Sequence, residues 1–387
     1  MRTIGTVVRG VRAPIFQAGD DLAKEVCKAV MAASKEAQAP LRDRDVIAVT
    51  ESVVARTQGN YATLEQIAAD VRAKIPAGAD GKRTAAVVFP IMSRNRFSML
   101  LKGISMGVDK LYIVLKYPSD EVGNELISLD RLEEKGVDPY RDVLTEAKYR
   151  ELFGENVLHP FTGMDYVKLY REYARNSEIL LANDARAVLP YAQDVIACDI
   201  HTRARTVRLL KEAGARTSLT LADLLNAPVD GSGYNPDFGL YGSNLATENS
   251  VKLFPRDCEK FVEKLAGMLR AESGRQVEVM VYGDGAFKDP VGGIWELADP
   301  VVSPAYTEGL DGRPNEIKLK YLADTQLRGE TREQAAEDAR KAIRAKAACL
   351  TGQMASQGTT PRRLTDLLGS LSDLTSGSGD KGTPIIY

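Results

Sequence analysis

The chain has 387 residues, 44% of them hydrophobic and 27% charged, with a formal net charge of -2 at pH 7. Its length exceeds the about 100 to 200 residues of one compact core and favours two domains, and its apolar content excludes a disordered chain, which cannot offset its ordering entropy. With a pI near 6.0 there is no general basic field for phosphate backbones, so no nucleic-acid partner is expected, and a small anionic substrate would need a local cationic pocket.

In chain order, the opening Met1-Arg2-Thr3-Ile4-Gly5-Thr6 runs into charge and lacks the apolar core of a signal peptide. No stretch reaches the roughly 18 apolar residues of a membrane span. A cytoplasmic protein with no membrane partner is expected. The first helix opens at Gly19-Asp20-Asp21, where carboxylates can cap free amides, and Leu22, Val26, Ala29, Val30 and Ala33 follow at helical spacing. The β-branched run Asp45 to Thr50 predicts a strand that leads into a polar turn around Thr57-Gln58-Gly59-Asn60.

From about Thr84 the pattern predicts a strand at Ala85 to Phe89, a helix at Phe97 to Met106 and a strand at Leu111 to Lys116. It returns as strands at Glu178 to Leu181 and Val195 to Cys198 and a helix over Thr202 to Ala213. Such alternation suggests an α/β unit, a parallel, doubly wound sheet covered by helices. Turn-formers at Gly231 to Pro236 end it. A helix over Asp257 to Arg270, a strand over Val277 to Tyr282, a period-two strand at Glu316 to Tyr321 and a charged helix over about Glu330 to Leu350 are then expected. The tail at Ser376 to Gly382 has linker composition, and Pro384 to Tyr387 could dock back on the body. Cys27, Cys198, Cys258 and Cys349 are too scattered for a zinc or redox motif and read as reduced thiols.

The most informative local signal is Gly283-Asp284-Gly285-Ala286-Phe287-Lys288-Asp289-Pro290, which follows a predicted strand directly. A carboxylate delivered into a glycine-flanked loop at a sheet edge suits a magnesium-bound phosphate, because hard cations take oxygen ligands from one or two carboxylates plus phosphate. The plainer reading is a tight turn with solvated aspartates. A second glycine-rich stretch, Asp237 to Asn244, offers a hydroxyl and an amide close together, or else an irregular loop in which Ser243 and Asn244 satisfy backbone groups. Neither is a Walker A motif or a dinucleotide fingerprint.

Two further loops carry arginines. Ser93-Arg94-Asn95-Arg96 follows one predicted strand, and Asp199-Ile200-His201-Thr202-Arg203 follows another; both open helices. Strand ends are the usual place for ligand contacts in an open α/β sheet, and guanidinium groups there can take an anion. Alternatively, Asp199 is a helix cap, His201 a packed side chain and the arginines surface residues.

Gly19 to Ala23 and the run Asp45 to Asn60 resemble the opening of the coenzyme F420-0:L-glutamate ligases, where a strand leads to a Ser-Lys-Ala-Glu-Gly-Arg type loop. The similarity resumes at Gly239 to Asn244, the helix Asp257 to Arg270, the strand and loop through Asp284, the segment ending Ala323-Asp324, and Gly379 to Pro384. The resemblance implies an α+β ligase core formed by residues 1–84 and 229–387. Residues 85–228 lack a counterpart in the short form of the family and read as an inserted α/β domain.

It also implies an activity. A nucleoside triphosphate, GTP or ATP, and magnesium or manganese would activate a small carboxylate as an acyl phosphate. An amine, as in L-glutamate, would then displace phosphate to leave a γ-glutamyl-type amide, within a homodimeric enzyme. By residue, Asp284 matches a metal-binding aspartate and Arg56 the basic residue of the early loop, so these two are the catalytic candidates. Arg56, Ser243, Asn244, Gly283 and Gly285 would contact nucleotide. Asp284, Asp324 and Asp237 would hold metal, Asp237 because Tyr241 stands where the family has an acidic residue. Gly285 stands where a metal-binding threonine is expected. The inserted unit would offer Arg94, Arg96, His201 and Arg203 to the acceptor. A metal-dependent phosphohydrolase or phosphotransferase, and a non-catalytic nucleotide-binding protein, are the alternatives.

Overall fold

The computed structural model describes residues 3–94, 96–120, 123–160, 162–283, 287–288, 295–296, 302–359, 362–376 and 382–387. The first stretch runs β1 (Gly10–Val11), α1 (Leu22–Glu36), β2 (Val46–Thr50), α2 (Glu51–Thr57), β3 (Tyr61–Thr63) and α3 (Leu64–Lys74). The middle begins with β4 (Thr84–Val88), α4 (Phe97–Met106), β5 (Lys110–Leu115), α5 (Leu129–Glu134), β6 (Leu144–Thr145) and α6 (Glu146–Phe153). It continues with α7 (Tyr166–Tyr173), β7 (Ser177–Leu181), β8 (Asp194–Ala197), α8 (Arg203–Glu212) and β9 (Thr217–Thr220). The last stretch opens with β10 (Asn244–Thr247), β11 (Ser250–Lys252), α9 (Cys258–Ser273), β12 (Glu278–Tyr282), β13 (Phe287–Lys288) and β14 (Trp295–Glu296). It closes with β15 (Ala305–Tyr306), α10 (Leu319–Thr325), α11 (Arg332–Ala345), α12 (Leu364–Thr375) and β16 (Ile385–Ile386).

Strand pairing sorts these stretches. Among the described residues, β1, β2 and β3 pair only with strands of the last stretch, in the orders β1-β16-β2-β12-β15 and β10-β11-β3. β2 runs parallel to β12 and antiparallel to β16. Strands of the middle stretch pair only with one another, in the order β6-β7-β5-β4-β8-β9, and every pairing is parallel except that of the edge strand β6.

The inner strands β2, β4, β8 and β12 are buried on both faces over most of their length and read as largely apolar runs. Along β4, Ala85 and Val87 face a core shared with α3, α4 and α7, while Ala86 and Val88 face one shared with α8. Along β2, Ile47 and Val49 face α1 and α9, and Ala48 turns to the side covered by Leu364 and Leu368 of α12. α3 packs closely on α4: a Cβ at Gly107, just past α4, would lie 2.7 Å from the Val71 side chain, so only glycine permits this approach. The apolar core of α3 and the six-stranded sheet extends to Leu221, Leu240, Tyr241 and Leu253.

Local signals account for most of the elements. Asp21 caps α1 through the Lys24 amide, as its position predicts. Two segments differ from expectation. The polar turn after β2 is preceded by α2, at whose start the Thr50 hydroxyl accepts from the Ser52 amide. Glu316 to Tyr321 forms no strand; the chain turns into α10 at Leu319, with Leu322 buried one turn on. Leu, Lys and Ala favour helix, and the alternation Ile317, Leu319, Tyr321 finds no sheet edge to join.

Candidate active site at the ends of the central strands

The parallel pair β2 and β12 carries the first part of the site. Tyr282 lies opposite Thr50 in register, so Gly283 leaves the sheet beside the start of α2. The Gly283 amide donates to the Val302 carbonyl at 2.9 Å. Asp284 and Gly285 come next and lie outside the described residues.

The turn after α2 is stitched to the last stretch of chain by Asn60, which is fully buried. Its amide nitrogen donates to the Phe254 carbonyl at 2.8 Å, and its oxygen accepts from the Tyr234 amide at 2.9 Å and from Arg256 at 2.6 Å. These bonds tie the turn after α2 to residues on either side of the hairpin of β10 and β11, which also pairs with β3. Between them lies a cavity of about 920 Å³ lined by Gln17, Ser52, Arg56, Tyr61, Asn244 and Lys252, among others.

Two of the sequence-predicted nucleotide contacts, Arg56 and Asn244, therefore share one cavity. Arg56 donates through Nε to the Phe16 carbonyl and has no carboxylate partner among the described residues. Ser243 is buried, and its hydroxyl donates to the Leu240 carbonyl at 2.7 Å, so it holds the turn together. Asp237 is exposed on the turn after Asn235, and Asp324 is exposed on α10, which packs on α11. Among the described residues no group of three or more His, Cys, Asp or Glu could hold a metal. The described donors thus do not by themselves fit a magnesium or manganese ion.

Tyr241 stands where the resemblance expects an acidic residue, and the structure gives it a different task. Its hydroxyl donates to the Asp199 carbonyl at 3.0 Å, with the Ala197 carbonyl at 3.3 Å, and the Arg203 guanidinium sits 4.9 Å from its ring centroid. Burial pushes the phenol far above its ordinary range, so it stays neutral and serves as a tie between the β10 loop and the end of β8.

That strand end is the second part. β4 and β8 are parallel neighbours, and the order of strands reverses between them, the place where open α/β sheets form a crevice beyond their carboxyl ends. The loops bearing Arg94 and Arg96 and bearing His201 and Arg203 thus leave adjacent strands. In the first, Ser93 Oγ accepts from the Arg96 amide at 3.2 Å, and the Tyr170 hydroxyl bridges the Ser93 amide and the Ile91 carbonyl. In the second, Arg203 donates to the Ile200 carbonyl. Arg94 and His201 are exposed. Asp199 is 2% exposed; one carboxylate oxygen accepts from the Thr202 and Thr206 hydroxyls, and the other is buried without a partner among the described residues.

Sequence reasoning missed the ion pair made by Lys252, which lines the first cavity. Lys252 Nζ lies 2.9 and 2.8 Å from the two carboxylate oxygens of Glu51, the first residue of α2. A signal existed: Lys252 interrupts the apolar run Val251, Leu253, Phe254, and a charge among buried residues requires a partner.

No described helix is long and apolar enough to cross a membrane. A search of curated proteins gives no match. A family model described as F420-0:Gamma-glutamyl ligase matches residues 10–387, nearly the whole chain, and with it the chain belongs to the F420-0:gamma-glutamyl ligase family.

Proposed function

We propose that the protein is a nucleotide- and metal-dependent ligase that joins a small carboxylate to an amine, with GTP, the nucleotide of its family, or ATP as cosubstrate. The carboxylate oxygen would attack the terminal phosphorus and release the nucleoside diphosphate. The amine, that of L-glutamate or a similar compound, would then attack the acyl phosphate and release phosphate and a proton. Where the activated carboxylate is the γ-carboxylate of a glutamyl group, a γ-glutamyl-type amide results, and the incoming amine becomes its nitrogen. The full-length family match carries this reading, and the shared cavity of Arg56 and Asn244 supports it.

Arg56 and Asn244 would orient the nucleotide, with the Gly283 to Gly285 loop at its phosphates. A magnesium or manganese ion, held through Asp284 with Asp237 or Asp324, would offset charge on the transferring phosphoryl group. The two-part organisation belongs to the same reading: residues 1–84 and 229–387 as the ligase core and 85–228 as an inserted, doubly wound unit, in line with the separation of strand pairing. A homodimer is part of it and is checked by light scattering.

The deciding measurement is phosphate release with GTP and ATP, crossing amino acids against small carboxylates. The ligase requires both acceptor and amine for stoichiometric release. Release without an amine would indicate a phosphohydrolase, and tight nucleotide binding without turnover a silent binder.

The acceptor would lie beyond β4 and β8. Replacing Arg96 or Arg203 by alanine removes a charge-assisted hydrogen bond of about 1.5 to 3 kcal/mol, so the acceptor KM should rise about ten- to hundredfold. Nucleotide Kd should hold. Equal loss of nucleotide affinity would move these arginines to the phosphates.

A further inference from the structure

Lys252 and Glu51 form an ion pair whose side chains are 9% and 6% exposed. Burying such a pair costs several interactions with water, and a pair that borders a cavity keeps one side open to a ligand. This one does border it: Lys252 lines the same cavity as Arg56 and sits in register with Asn244 across the hairpin. An ammonium has three protons. Glu51 is its one acceptor among the described residues, and two carboxylate oxygens leave capacity for a third bond. Among the described residues, two cations, Arg56 and Lys252, stand against one carboxylate, Glu51. An anion entering the cavity meets a net positive site whose second cation is already held in place.

We infer that Lys252 is a second cationic contact for the phosphate chain of the nucleotide, and that Glu51 is a positioning residue that holds the ammonium at the cavity wall and tempers its charge when no anion is bound. This rests on the nucleotide reading given above. It assigns the cavity a polyphosphate rather than a monocarboxylate, because a phosphate chain has enough charged oxygens to meet Arg56 and the free proton of Lys252 at once.

The two single substitutions should act with opposite signs. Lys252→Gln removes the cation and should weaken binding of GTP and of inorganic triphosphate tenfold or more by titration calorimetry. Glu51→Gln leaves the ammonium unneutralised and should tighten both severalfold. The double variant replaces the pair with two amides that can still bond to each other, which preserves a folded protein. Its affinity should match that of Lys252→Gln, and Lys252→Arg should retain most of the binding. Thermal melting of each variant provides the control for folding.

If both single variants bind equally weakly and lose affinity in step with melting temperature, the pair is structural and the inference fails. If Lys252→Gln binds GTP normally while Arg56→Ala does not, the inference fails and the nucleotide reading stands. If the unsubstituted protein binds neither GTP, ATP nor triphosphate, both fall.

Discussion

Asp284→Asn is expected to lower phosphate release by about 10² or more while leaving the fold intact, since removing one preorganised electrostatic group from a reacting centre typically costs that much. The substitution keeps size and removes charge. Asp284 follows Gly283, which leaves β12 beside the start of α2 and close in sequence to the strand end opposite Thr50. A carboxylate there would serve the metal that accompanies the phosphates, so nucleotide affinity in the presence of magnesium should fall together with turnover. A carboxylate that only shapes a turn would behave differently, lowering melting temperature and sparing activity per folded molecule. Recording turnover beside the magnesium-induced shift in melting temperature separates the two outcomes. A folded variant with near-normal turnover would remove Asp284 from the site.

Gly239→Ala should destabilise the protein by about 2 to 4 kcal/mol, combining the cost of a side chain at positive φ with that of overpacking. Gly239 has φ +53, and a Cβ there would lie 2.4, 2.5 and 2.6 Å from the carbonyl oxygens of Leu224, Leu221 and Ala222. These are backbone atoms, so no rotamer change relieves the contact. The strain falls on the turn that carries Tyr241 and Ser243, and through Tyr241 on the end of β8. Urea unfolding measures the effect as a lower midpoint at unchanged slope. A midpoint within error of the parent protein would show that the turn can open at little cost.

The elements most legible in the sequence were those whose residues signal locally. β2, β4, β5, β8 and β12 are short apolar runs, and α1, α4 and α9 repeat at helical spacing within a few turns. α2 was not legible because seven residues give too short a window for periodicity and Val53 and Val54 favour strand. The expected strand at Glu316 to Tyr321 failed because alternation alone does not supply a neighbour to pair with.

Arg56 and Asn244, which line one cavity, were singled out through motif and resemblance, whereas the partner of Lys252 lies 201 residues away. Tyr241 shows the same limit: its bonds reach carbonyls 42 and 44 residues distant. A substitution that looks like the loss of a ligand becomes a structural tie once those carbonyls are in view.

The interior place of β2 bears on how the molecule is made. Its two neighbours, β12 and β16, both come from the last third of the chain. During synthesis β2 emerges early and waits with both edges unpaired, while the six-stranded sheet holds its full complement of strands once Thr220 has left the ribosome. Non-local pairing carries a loop-closure cost and slows folding, and open strand edges invite association with other chains. Ile385 and Ile386 join β1 to β2, so trimming the last three residues would withdraw an inner strand from a finished sheet and should leave a chain that translates normally yet collects in aggregates.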